Sequence, residues 1–150
     1  MSCRIWIGAL AFVFAAAPAF AQSPQSAAGR IKIASGSAFI VRGGTLVRAQ
    51  AGEVVFEADG LKTGADGRLG VTLKDDTRVS LGPGSEVRVD RFVYAPAEGR
   101  MGLVLKVVNG VMAYVSGRIA KLSPDSIRLE TPAAVVGVRG TTLALRVVPK

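Results

Sequence analysis

The 150-residue sequence contains no histidine and a single cysteine, Cys3. Without histidine, and with the one thiol confined to the first residues, neither a Ser-His-Asp nor a Cys-His nucleophile can be assembled. Ordinary zinc sites are excluded on the same grounds. Only carboxylate, lysine or tyrosine chemistry remains open to an enzyme. The 19 basic residues stand singly along the chain, with no block of like charge that would form a polybasic arm. No strict internal repeat is visible, which removes a long solenoid array. From Arg30 onward no stretch carries a convincing helical period.

What is present begins with a leader. Arg4 precedes an apolar run from Ile5 to Ala17, Pro18 ends it, and Ala19-Phe20-Ala21 supplies small residues for a signal peptidase. The reading is a signal peptide over 1–21, cleaved after Ala21, and hence a periplasmic or secreted protein. An uncleaved anchor is the alternative, at the short limit for a span. A lipoprotein needs a cysteine at the start of the mature chain, and Cys3 lies ahead of the run. The mature chain then keeps 18 basic and 11 acidic residues, a net charge of +7, with no disulfide and length enough for one core. In an exported protein this charge points to anionic envelope polymers or an acidic protein face rather than to nucleic acid.

Residues 22–29 read as a disordered lead-in and 30–150 as a single all-β domain. Leu69, Val71 and Leu73 alternate with polar or small residues, as do Val79 with Leu81 and Val87 with Val89. Half-buried antiparallel strands give this period of two. Turn formers separate them at Gly64–Gly67, Asp75-Asp76 and Gly82–Ser85. Regular short spacing predicts a sandwich, jelly-roll or β-helical type of domain with many short strands. The phase slips between Val89 and Phe92, as a bulge or a change of sheet would cause. Asn109-Gly110 predicts a type I′ hairpin turn into Val111–Val115. Residues 119–125 read as a connection, and Thr142–Val148 as a closing strand with Leu143, Leu145 and Val147 on one face.

The acidic residues are the remaining catalytic candidates. Asp59-Gly60, Asp66-Gly67 and Asp75-Asp76 recur at loop-like intervals, where calcium or a carboxylate pair for glycoside cleavage is the functional alternative. Calcium-loop spacing is missing, and Asp-Gly serves turns through its own hydrogen bonding and positive φ, so these residues are read as turn chemistry. Glu53 and Glu57 flank a short apolar run at a spacing ordinary for surface positions. Phe92 and Tyr94, beside Arg88 and Arg91, offer a stacking platform for a sugar or base. The alternative, adopted here, is core aromatics next to solvated arginines.

The stretch Thr131–Thr141, TPAAVVGVRGT, holds no nucleophile or metal ligand. Gly137-Val138-Arg139-Gly140-Thr141 also lacks the spacing and following helix of a phosphate cradle. Pro132 restricts Thr131 to extended geometry and ends a strand. Gly137 and Gly140 permit a bend around Val138-Arg139. Arg139 is read as a staple of carbonyls inside that bend, with a partner carboxylate as the alternative.

Several segments in order resemble the FecR-type domain. They are Gly52 and Asp59–Gly64, then Gly67–Leu73, then Asp76–Ser85, then Leu105–Gly110, and the closing Thr131-Pro132 with Val136-Gly137-Val138-Arg139-Gly140-Thr141. The resemblance covers about Arg30 to Val148. It implies an all-β envelope domain, which in the best-known members lies on the periplasmic side of an inner-membrane regulator. There it relays a signal from an outer-membrane receptor to a sigma factor. Those regulators carry a cytoplasmic segment and a span where this sequence shows a leader, so the module carries over and direct sigma-factor control does not. The expectation is a non-catalytic, cofactor-free protein-interaction module for an envelope protein, with Thr131, Pro132, Gly137, Arg139, Gly140 and Thr141 as its motif and partner contact. The alternatives are a binder of cell-wall or lipopolysaccharide polymers through the basic surface and, third, a carboxylate-dependent hydrolase.

Overall fold

The computed structural model describes residues 25–140 and 142–148; the expected leader over 1–21, its cleavage point and Thr141 lie outside the described residues. In chain order the strands are β1 Ala27–Ser35, β2 Ala38–Arg42, β3 Thr45–Arg48, β4 Val54–Phe56, β5 Gly60–Thr63 and β6 Arg68–Leu73. They continue as β7 Arg78–Leu81, β8 Glu86–Ala95, β9 Arg100–Val115, β10 Ile127–Glu130, β11 Val135–Gly137 and β12 Thr142–Val147. The period of two seen in the sequence is the burial pattern: Leu69, Val71, Leu73, Val79, Leu81, Val87 and Val89 all point inward. The fold is thus all-β and mostly antiparallel, with one parallel pairing between β10 and β9.

The strands form one curled sheet in the order β3-β2-β5-β8-β9-β7-β6-β1-β4, with β10 and β12 also on β9. β9 joins its two halves. Residues from Arg100 to Asn109 pair with β8 and, for Leu103–Lys106, with β10. Residues from Gly110 to Val115 pair with β12 and in part with β7. Inward side chains from both halves meet in one buried cluster that runs from Ala28 to Val138.

The crossing point corrects the expected Asn109-Gly110 hairpin. β9 continues through it, and only Gly110 has a positive φ, +92°, whereas a type I′ turn needs one at both residues. The dipeptide instead bends the strand around the turn between β7 and β8. There the Val111 N–H donates to Ser85 Oγ at 2.9 Å, the Ser85 hydroxyl reaches the Val111 carbonyl at 3.0 Å, and Asn109 Nδ2 donates to the Gly84 carbonyl at 3.1 Å. A bulge between Val89 and Arg91 accounts for the phase slip before Phe92. Glu57 Oε2 accepts from the Phe92 N–H at 3.0 Å beside it.

Two boundaries differ from the sequence reading. β1 begins at Ala27, inside the expected lead-in, because Ala28 is fully buried and Gly29 packs against Thr72 and Leu73 too closely to admit a side chain. The connection after β9 contains a short helix, α1 Arg118–Leu122, which buries only Ile119 and so leaves no helical period to read. The carboxylate of Asp75 anchors its start, accepting from Ile119 N–H at 3.3 Å and from Thr77 Oγ1 at 2.7 Å, while the Asp75 carbonyl accepts from Arg118 N–H at 2.7 Å.

Tyr114 is fully buried in this core, and its hydroxyl has no hydrogen-bond partner among the described residues. Burial pushes its phenol up to about 12. Tyr114→Phe is expected to raise stability by about 1 kcal/mol, since an unsatisfied buried hydroxyl costs about 1–3 kcal/mol. The raised value also has a pH signature. Between about pH 10 and 12 the unfolded phenol has lost its proton while the folded one retains it, so stability present below pH 10 is lost as pH rises, by about 2–3 kcal/mol in all. Urea titrations at pH 9 and 11 should show about half of that loss in the wild type and a smaller one in Tyr114→Phe.

Candidate functional site

The carboxylates that the sequence left open as catalytic candidates are committed to the scaffold. Asp59 is 1% exposed and takes Arg42 in a two-pronged pair, Nε to Oδ1 at 2.9 Å and Nη2 to Oδ2 at 2.7 Å. Its Oδ2 also accepts the Phe56 N–H at 2.8 Å, while Arg42 donates to the Val54 carbonyl at 3.0 Å and lies over the Phe56 ring. Asp75 is equally buried and serves Thr77 and α1. Asp66 is exposed; hydrogen bonds from the Ser37 side chain and from local backbone hold its carboxyl below the usual range. Asp76, at φ +68°, pairs with Arg118 at 3.0 Å. Among the described residues no group of three or more Asp, Glu, His or Cys is placed to hold a metal ion. The turn reading of Asp66-Gly67 matches this geometry. Asp59 and Asp75 do more than make turns: they tie together segments distant in sequence.

The aromatic pair does not form a platform. Phe92 is in the core, 4% exposed. Arg88 is drawn onto Asp90, which holds its guanidinium above the ordinary range. Tyr94 is half-buried and faces Arg118, whose charge is favoured first by its hydrogen bond with that tyrosine and then by Asp76.

The closing stretch sets its sequence-predicted residues at the two ends of one short hairpin, Thr131 and Pro132 at its turn and Gly137, Arg139 and Gly140 at its open end. Thr131–Ala134 is the turn of the β10–β11 hairpin, shut by the Thr131 N–H onto the Ala134 carbonyl at 2.8 Å and by the Ala134 N–H onto Thr131 Oγ1 at 3.0 Å. Among the described residues β11 pairs with β10 alone, leaving its other edge without a partner, and Val135 is 65% exposed. Val138 turns back into the core at 5% exposure. Arg139, between two glycines, does not staple its own bend. Its Nη2 donates to Asp125 Oδ1 at 2.9 Å, and both side chains are 80% exposed. The reason is local. Neither Gly137 nor Gly140 takes a left-handed φ, and a Cβ on either would meet nothing within 4 Å. The segment is therefore open rather than coiled on itself, and among the described residues no carbonyl accepts from the guanidinium. The Gly140 carbonyl is taken by the Ser116 hydroxyl at 2.8 Å.

Beside the hairpin turn, a shallow groove of about 480 Å³ runs between Pro132, Ala133 and Val136 on one side and Leu145, Val147 and Val148 on the other. A smaller cleft of about 230 Å³ links Asp125, Arg128, Val135 and Arg139. Sequence reasoning missed the groove, because it exists only where the β10–β11 tip meets the end of β12, both hung on β9. It also missed Arg42, whose pairing with Asp59 crosses 17 positions. Among the described residues the segment holds apolar contact area, a strand edge without a partner and an exposed ion pair.

Among family models, the one described as FecR protein matches residues 59–149. No curated protein and no solved structure matches the chain significantly.

Proposed function

The chain belongs to the FecR family of signalling-related domains, and on that premise we propose that it is a non-catalytic protein-interaction module working in the cell envelope, with the closing segment as its contact surface. One observation carries the reading. Residues of the closing motif lie at the surface with side-chain space to spare: Arg139 is 80% exposed, and Gly137 and Gly140 have open space where a side chain would be. A surface ion pair of this kind contributes about 0–1 kcal/mol, so stability does not explain the arginine. The apolar groove beside Pro132 and the free edge of β11 add the mixture of buried apolar patch and polar rim that protein interfaces use. No described helix is long and apolar enough to cross a membrane. Export through the leader over 1–21 remains part of the proposal.

The test is affinity capture of the tagged protein from an envelope extract, wild type against Arg139→Ala and Val135→Asp. Arg139→Ala is expected to melt with a stability change within about 0.5 kcal/mol, as exposed substitutions do. Both variants should lose a partner that the wild type retains. An Arg139→Ala that unfolds, or folded variants that keep the partner, would sink the assignment of this surface.

A further inference from the structure

The outer face of the half-sheet β4-β1-β6-β7 with the end of β9 and β12 has an unusual composition. Not one Asp or Glu stands on these strands, whereas the other half carries Glu86, Asp90 and Glu130. Register sorts the outward residues into three rows running across the strands. One row is Arg30, Thr72, Arg78, Val115 and Thr142. The next is Ile33, Gly70, Ser80, Ala113 and Ala144. The third holds Arg68 opposite Ser35, and Arg146 opposite Val111. The middle row is made of small residues apart from Ile33, at its β1 end. The rows on either side bear long cationic side chains.

This is a trough. At about 3.3 Å per residue the two cationic banks stand roughly 13 Å apart, and five strands at about 4.8 Å spacing give it a length of roughly 19 Å. Behind the first bank the charge continues. A cleft of about 430 Å³ is lined by Arg30, Lys32 and Lys74, and an adjoining one of about 310 Å³ by Arg78, Arg118 and Lys121. Of the carboxylates at the borders, Asp76 is paired with Arg118, while Asp66 and Glu53 accept backbone N–H groups and lie outside the three rows. Arg68, Arg78 and Arg146 have no ion pair among the described residues, so their charge is available.

From this arrangement we infer that the face binds a linear anionic polysaccharide lying across the strands, its acidic groups between the two banks and its hydroxyls over Thr72, Ser80 and Thr142. Field lines from two parallel cationic rows converge on the floor between them, where a single chain carrying acidic groups fits. A bilayer surface is flat and would touch the bank tips while leaving the recessed small-residue floor empty. A protein strand would seek an unpaired edge, and the central strands of this face are paired on both sides. The two sites share Arg146, which also lines the groove beside Pro132, but Arg139 lies outside the trough and Arg68 and Arg78 lie outside the groove, so each reading can fail alone.

The probe is fluorescently labelled polygalacturonate, with neutral dextran and vesicles of three parts phosphatidylcholine to one part phosphatidylglycerol as comparisons. Wild-type protein should bind the polyuronate and not dextran, with affinity falling roughly 20- to 50-fold between 50 and 200 mM salt if three or four contacts are made. Arg68→Gln combined with Arg78→Gln removes one cation from each bank, and Ser80→Glu puts a carboxylate on the floor. Each should weaken binding at 50 mM salt by roughly tenfold or more with an unchanged melting curve. Lys106→Gln with Arg128→Gln removes the same charge from the other half-sheet and should leave affinity within about twofold, because neither lies in the trough. Equal loss in that control, binding to dextran, or binding to the vesicles in place of the polyuronate would each overturn the assignment.

Discussion

Gly110→Ala is expected to cost about 4 kcal/mol and to lower Tm by roughly 15 °C. Two costs add. At φ +92° an alanine is strained by about 1–2 kcal/mol. The added Cβ would also lie 2.4 Å from Ser85 Cα and 2.6 Å from the Gly84 carbonyl oxygen. Those are backbone atoms, so the turn between β7 and β8 must move away from β9 and lose its hydrogen bonds with Val111. Gly84→Ala separates the two costs, because Gly84 also has a positive φ, +62°, but open space around the Cβ position. It should cost only about 1 kcal/mol. Thermal melts of the two variants decide the matter: similar, small shifts would mean that β9 is not pinned at this crossing.

Asp59→Ala comes second, at about 3 kcal/mol. Removing one partner of a buried ion pair costs about 3–5 kcal/mol, because the remaining charge stays desolvated. The lower end applies here, since the Arg42 side chain is 35% exposed and recovers some water. The Phe56 N–H loses its acceptor as well. Arg42→Met with Asp59→Leu should recover most of that loss in chemical denaturation, as replacing both charges leaves nothing unpaired. If the double replacement is as unstable as Asp59→Ala, the geometry around Val54–Asp59, and not the charge, is what the pair supplies. The pair also bears on the size of the folding unit. The family match starts at Asp59, yet the guanidinium that neutralises it comes from β2, and β1 sits between β6 and β4 in the sheet. The unit with a complete core is therefore longer than the matched segment.

The sequence made the inner face legible wherever strands alternate. Leu69, Val71 and Leu73 are buried as their spacing requires, and the slip before Phe92 is a bulge. What stayed hidden depends on partners far along the chain. Asn109-Gly110 carries the same local preference for positive φ whether it reverses a strand or bends one, and only the turn at Ser85 selects the bend. Asp59-Gly60 reads as a turn because nothing within a few residues reveals Arg42. In the closing segment the position of the motif was readable but not its geometry, because Arg139 finds its carboxylate on Asp125, 14 residues earlier. The cationic trough was unreadable for a similar reason. Scattered single arginines become rows only once five strands are set in register.

The sharing of β9 between both halves has a consequence in time. As the chain is made, β1 to β8 emerge first, yet their two sets of strands lack the element that joins them until residue 115 has appeared. Pairings such as β1 with β6 and β5 with β8 close long loops before any contact repays the lost entropy. Such a topology folds in milliseconds to seconds rather than microseconds. A nascent chain of this design thus cannot complete its sheet until late in synthesis, when β9 has been made and the two halves can join.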